Sequence, residues 1–251
     1  MNSLLLLLLD SRAPAGAHHH SAGMEAAIGA GLVTGLADVE DFCQTRLRTS
    51  ARVAAAFAAA SCHLAERAVL PASGQPQPAP AERVPREWAL LDAEFEARTP
   101  SQAARAASRQ LGGGLLRLLR FLLPDADLTT PWARCPPPAP HHPLVAGAGV
   151  ALAGGTPELA ARAAALACCA GPASAAVRLL GLDPFAVQAM LARLAPGIDE
   201  CAAAAAYSAA GLSETGLSEI GPLAGLAADA APALDLLPDV HLTAEVRLFA
   251  S

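Results

Sequence analysis

Lysine is missing from this chain altogether: its seventeen basic residues are all arginine. That absence removes the phosphate-binding lysine of a P-loop, Schiff-base chemistry and any lysine general base. Aromatic residues are scarce, with six Phe, two Trp and one Tyr in 251 residues, and the β-branched and aromatic runs that strands favour are absent. The six cysteines, Cys43, Cys62, Cys135, Cys168, Cys169 and Cys201, contain no C-x-x-C pair, so they form neither a disulfide framework nor a zinc ribbon. Positive charge is also in deficit. A net charge of −6 argues against a nucleic-acid partner held through phosphates. The leucine run Leu4 to Leu9 has no basic residue before it, falls short of a signal-peptide core and cannot span a bilayer. It reads as a first helix buried in the core, which places the protein in the cytoplasm with no membrane partner.

What the chain does have is helical periodicity. Hydrophobic residues make up 53% of it, and alanine supplies much of that share, which suits closely packed helices. The expected fold is all-α, a single multi-helix bundle over residues 1–251. From Asp38 to about Ala68, Val39, Phe42, Cys43, Leu47, Ala54 and Phe57 recur at helical spacing, with Glu40 and Asp41 in the first turn. A Pro-rich stretch, Pro71 to Pro85, cannot bury enough surface to order itself and reads as an exposed loop. Trp88, Leu91 and Phe95 then mark one face of a short helix. Thr99, Pro100 and Gln102 read as the cap, first-turn proline and capping-box partner of the next. The stripe of that helix is Ala104, Ala107, Leu111, Leu115, Leu118 and Leu122, with Arg105, Arg109, Arg117 and Arg120 off it. Gly112, Gly113 and Gly114 predict a kink or break, since each costs about 1 kcal/mol relative to Ala inside a helix.

A second long connection, Pro124 to Pro143, precedes a short apolar helix over Leu144 to Ala153. Thr156 with Pro157, and Asp183 with Pro184, each place a capping side chain before a first-turn proline. The second opens a helix whose stripe includes Val187, Met190, Leu191, Leu194, Ile198 and Cys201. Beyond Gly211 the chain turns rich in Gly, Pro and Ser, and residues 232–251 read as a tail that is mobile in the isolated protein.

Catalytic patterns are excluded rather than found. Ser21 lacks the upstream glycine of a nucleophile elbow, no H-E-x-x-H or EF-hand loop occurs, and Gly29, Gly31 and Gly35 have the wrong spacing for a dinucleotide site. The chain therefore reads as a protein without a catalytic site or cofactor. His18, His19 and His20, with His141 and His142 as a second group, are good nickel or zinc ligands by chemistry. Adjacent side chains diverge, however, so three in a row seldom serve one ion, and no metal site is assigned to them. Cys168 and Cys169 sit in an Ala-rich helix and read as small core residues.

The block from Asp10 to Glu25, DSRAPAGAHHHSAGME, carries a P-x-G-[AS] turn followed by an S-x-G-[LM]-E helix start, and AAIGAGLVT continues it. Further matches are Ser108, Arg109, Gln110 and Gly112, the stretch His142 to Gly147, Ser174 to Leu179, and the ending Arg247, Leu248, Phe249, Ser251. In this order and over nearly the whole chain, the motifs resemble the UreF family of urease accessory proteins, in an actinobacterial-like branch. His18 stands where many members have Tyr or Phe. His241 to Val246 departs from the His-Glu-x-x-Tyr segment before R-L-F, and Gly181 to Pro184 lacks a Gln-x-Asp-Gly-Gln run.

The resemblance implies a homodimeric helical scaffold with no active site of its own. It would bind UreD (also called UreH), recruit and regulate the GTPase UreG, and serve nickel insertion into apo-urease. Pro14, Gly16, His18, Ser21, Gly23, Glu25, Arg247, Leu248 and Phe249 are the expected partner-binding residues. Ser21 is expected to cap the helix at Gly23 to Glu25, with Gly23 small for close backbone approach and Glu25 favoured by the helix dipole. The alternative implied function is a metallochaperone that holds nickel on His18 to His20.

Overall fold

The computed structural model describes residues 2–10, 20–69, 80–137, 139–212 and 222–242. Among the described residues there is helix and no strand, as the composition predicts. A short helix α1 (Ser3–Leu9) is capped by Asn2, whose Oδ1 accepts from the Leu5 N–H at 2.9 Å. Its Nδ2 donates 2.8 Å to Ala153 O. Leu5 and Leu8 enter the core, whereas Leu6 and Leu7 stay exposed, so the leucine run is amphipathic rather than wholly buried.

Helices α2 (Met24–Gly29) and α3 (Leu36–Arg48) follow, then α4 (Ser50–Val69), the central element. The single helix expected from Asp38 to Ala68 is thus two, broken at Thr49. Thr45 and Thr49 hydroxyls donate back to the carbonyls of Asp41 and Thr45 at 2.9 and 2.8 Å, a pattern that bends helices. Residues 51 to 62 of α4 are buried almost without exception, because it packs against α7 (His142–Leu152), α8 (Pro157–Leu180) and α9 (Pro184–Ala210). Small residues allow the approach: a Cβ on Gly147 of α7 would lie 2.1 Å from Ala58 O.

The Pro-rich loop expected over residues 71–85 is corrected at its end, since α5 (Pro80–Ala97) starts within it and carries Pro85. Pro80 at the helix start costs no intrahelical bond, because the first N–H groups have no partner there, whereas Pro85, inside the helix, has no N–H to donate to the carbonyl four residues earlier. Trp88, Leu91 and Phe95 are buried on one face, as their spacing predicts. The second connection, 124–143, is corrected twice. It holds a 3₁₀ turn at Thr130–Trp132, whose Trp132 ring packs edge-on to Trp88 at 4.4 Å, and α7 begins at His142.

Helix α6 (Gln102–Leu122) runs without a break through Gly112, Gly113 and Gly114. The reason is contact: a Cβ on Gly112 would lie 2.0 Å from Pro140 O, so the connection crosses directly over this glycine. Its cap is Ser101, which accepts from Ala104 N at 3.0 Å, in place of the expected Thr99. The buried residues are Ala103, Arg109, Gly112, Leu115, Leu116 and Leu119, so the true stripe includes an arginine the periodicity placed outside.

Thr156 and Asp183 cap α8 and α9 as expected, accepting from Leu159 and Phe185 at 3.2 and 3.0 Å. Helix α8 is the one described helix long and apolar enough to cross a membrane, but it packs on α3, α4, α7 and α9. Cys169 is fully buried there and Cys168 half-buried, as small core residues.

Of the tail expected over residues 232–251, residues 243–251 lie outside the described residues, and helix occurs within 232–242. The helices are α10 (Pro232–Asp235) and α11 (Leu237–Leu242), preceded by a 3₁₀ turn at Pro222–Gly225. Arg98 holds that turn, donating to the carbonyls of Leu223, Leu226 and Ala227 at 2.7, 2.7 and 3.2 Å. Side chains of distant helices thereby supply the order that this segment's own composition lacks.

Candidate functional site

Two clusters stand out, one closed and one open. The closed cluster joins α5, α6 and the segment before α7. Arg109 donates to Asp92 Oδ2 at 3.1 Å, Glu96 Oε2 at 2.7 Å and Ala139 O at 2.8 Å. The Asp92 carboxylate, fully buried, also accepts the backbone N–H of His141 at 3.0 Å. Glu96 meets His141 Nε2 at 2.6 Å and Arg105 Nε at 3.0 Å. Burial pushes the Glu96 carboxyl up, but hydrogen bonds with His141 and Arg109 outweigh it and hold the carboxyl below the usual glutamate range. Burial likewise lowers the His141 imidazole. A neutral His141 therefore donates from Nε2 to an ionised Glu96, leaving Nδ1 buried and without a partner among the described residues.

One turn away, Ser108 Oγ accepts the His142 N–H at 3.2 Å, and Gly112 lies under Pro140. Ser108, Arg109 and Gly112 thus each receive part of the Ala139 to His142 segment. Two sequence matches about thirty residues apart are one junction. Its acidic members, Asp92 and Glu96, went unnoticed in the sequence, although their i, i+4 spacing on the Trp88 helix was the available signal. Apart from His141 Nδ1, the charged and polar groups of the cluster bond to one another.

The open cluster brings the start of α2 against α11. Gly23 caps α2 in a left-handed conformation at φ 88°, and a Cβ there would lie 3.1 Å from Leu237 Cβ and 3.5 Å from Pro238 Cδ. The close approach expected of Gly23 is therefore to this chain's own helix α11. Ser21 does not cap through its side chain. Its carbonyl accepts the Met24 N–H at 3.1 Å, while Oγ is buried without a partner among the described residues. Consecutive positive φ angles, 50° at Ala22 and 88° at Gly23, turn the carbonyl rather than the hydroxyl toward the helix start. Glu25 lies in the first turn, as expected.

Helix α11 is tied down on its other side by Asp239, whose Oδ1 accepts from Ala103 N at 2.7 Å and so helps cap α6. Leu236 and Val240 remain exposed beside the buried Leu237, at 56% and 57%. Pro14, Gly16 and His18, and Arg247, Leu248 and Phe249, lie outside the described residues, as does His19. His20 is described and faces His142, whose imidazole burial and the neighbouring His20 push down to about 4.

Comparison with known proteins places the chain. The family model UreF matches residues 33–195. The Mycobacterium marinum protein named urease accessory protein UreF is 40% identical over 249 residues, covering 99% of this chain and 98% of that one. A protein of the same name from Mycolicibacterium vanbaalenii is 39% identical over 253 residues, covering the whole of both. One from Mycobacterium tuberculosis (strain H37Ra) is 41% identical over 212 residues, which is 84% of this chain and 89% of that one. An accessory protein rather than an enzyme, the chain belongs to the UreF family of urease accessory proteins.

Proposed function

We propose that this chain is a non-catalytic cytoplasmic scaffold which, as a homodimer with UreD, recruits and regulates the GTPase UreG for nickel insertion into apo-urease. The observation that carries the reading is the seam between α2 and α11. It joins the N-terminal signature to the C-terminal segment and leaves Leu236 and Val240 exposed beside it. Apolar residues flanking a seam between α2 and α11 suit a docking surface for UreD, because a partner can bury them. Ser21, Gly23 and Glu25 belong to that surface through the turn they build. Pro14, Gly16 and His18 precede it and Arg247, Leu248 and Phe249 follow it in sequence, so all six are proposed as its continuation. Phe249 supplies area to bury and Arg247 directed hydrogen bonds.

A pull-down with UreD present tests the reading. Deleting Arg247 to Ser251 leaves helical content and the dimer intact and abolishes recruitment of UreG. Unchanged recruitment by the truncated protein would show that these residues only pack.

A further inference from the structure

The turn that opens α2 is held from outside, and the hold begins at a proline in α8. Pro172 sits inside that helix and has no N–H, so the carbonyl four residues earlier, at Cys168, loses its intrahelical donor. Arg46 of α3 takes that place, donating from Nε to Cys168 O at 3.0 Å. The same guanidinium donates from Nη1 to Ala22 O at 3.2 Å and stacks 5.9 Å from the Phe42 ring centroid. Beside it, Cys43 and Cys169, both fully buried, each direct Sγ at the other's carbonyl, at 3.6 and 3.8 Å. Helix α3 is therefore docked against the stretch of α8 that Pro172 leaves open.

Ala22 is the one described non-glycine residue with a positive φ, 50°, and Gly23 follows it at 88°. An alanine populates this region reluctantly, so two such residues in succession persist only where the surroundings fix them. Arg46 supplies the fixing bond at the Ala22 carbonyl, while Leu237 and Pro238 press on Gly23 from the opposite side. Arg46 meets the seam at the Ala22 carbonyl, so it acts on the seam through the turn.

We infer that Arg46 is the positioning residue that presets the Ala22–Gly23 turn, and with it the α2 face of the docking seam, by spanning the Ala22 carbonyl and the Cys168 carbonyl that Pro172 leaves free. This rests on the reading of the seam as the UreD surface. The planar fork matters: two carbonyls on different elements are reached at once by a guanidinium, and an ammonium on a flexible stem does not reproduce the pair.

The test uses the full-length protein, purified UreD, and hydrogen exchange followed by mass spectrometry. Arg46→Ala is expected to speed exchange over Met24–Gly29 while α9 stays protected, and to weaken UreD capture at least tenfold. Arg46→Lys keeps the stem and charge over Phe42 and gives the same two results, and it carries the test should the alanine variant not fold. Gly23→Ala, which disturbs the turn from the α11 side, also weakens capture. Failure of the wild-type protein to capture UreD overturns the reading of the seam. Wild-type capture matched by Arg46→Lys, or unchanged α2 exchange in that variant, overturns the role of Arg46 alone.

Discussion

The junction around His141 and the seam around Gly23 are built from similar material and end in opposite states. At the junction, Asp92, Glu96, Arg105, Arg109 and His141 bond to one another, with His141 Nδ1 alone left over, and Phe95 packs 4.8 Å from the His141 ring. At the seam, the polar groups of Arg46 and Asp239 secure the backbone from behind and apolar side chains are left facing out. The contrast teaches where charge serves stability and where apolar surface serves association. A buried charge is costly unless paired, so a cluster whose charges are paired with one another marks an internal clasp. Exposed leucine and valine beside a rigidly held turn mark a surface awaiting a partner.

The comparison breaks most readily at the clasp. Arg109→Ala leaves Asp92 buried with a single backbone partner, and a loss of about 3–5 kcal/mol in unfolding free energy is expected from urea titration. A loss under about 1 kcal/mol would mean that the cluster is not a stabilising clasp. Next in size is Gly112→Ala, whose Cβ would lie 2.0 Å from Pro140 O. The backbone must give way, and about 2–3 kcal/mol of destabilisation is expected even though alanine is the better helix former.

Acid sharpens the contrast. Burial lowers His142 to about 4, and the unfolded chain binds a proton below about 6.5, so between those values the unfolded state holds more protons. Stability therefore falls as pH drops through this window, by about 1–2 kcal/mol from pH 7 to pH 5, and His142→Asn should flatten that slope. The smallest effect belongs to the seam: Leu236→Ser with Val240→Ser should change the unfolding midpoint by less than about 0.5 kcal/mol equivalent, because both side chains are already in water.

Much of this was legible in the sequence. Helical periodicity, the Thr156 and Asp183 caps, the Trp88, Leu91 and Phe95 face and the family motifs all follow from local patterns. What stayed hidden came from distant contacts. Arg109 reads as a surface residue by period alone, and only the approach of Ala139 and His141 makes it internal. The three glycines of α6 read as a break because their cost is local and the chain that crosses Gly112 is not. Residues 232–242 read as loose because the bond that holds the segment to α6, from the Ala103 N–H to Asp239, joins residues far apart in sequence, as do the bonds of Arg98 to the turn just before it. At the candidate site, Gly23 was legible as a point of close approach, but the surface that approaches it, α11, was not.

The central claim is that the α2–α11 seam is a docking surface rather than a packed end. Its most direct test is the affinity of full-length protein for UreD, compared between the wild type and the Leu236→Ser, Val240→Ser variant at matched helical content. The account predicts at least a tenfold weaker affinity with an unchanged unfolding midpoint. Wild-type affinity in the variant would contradict it.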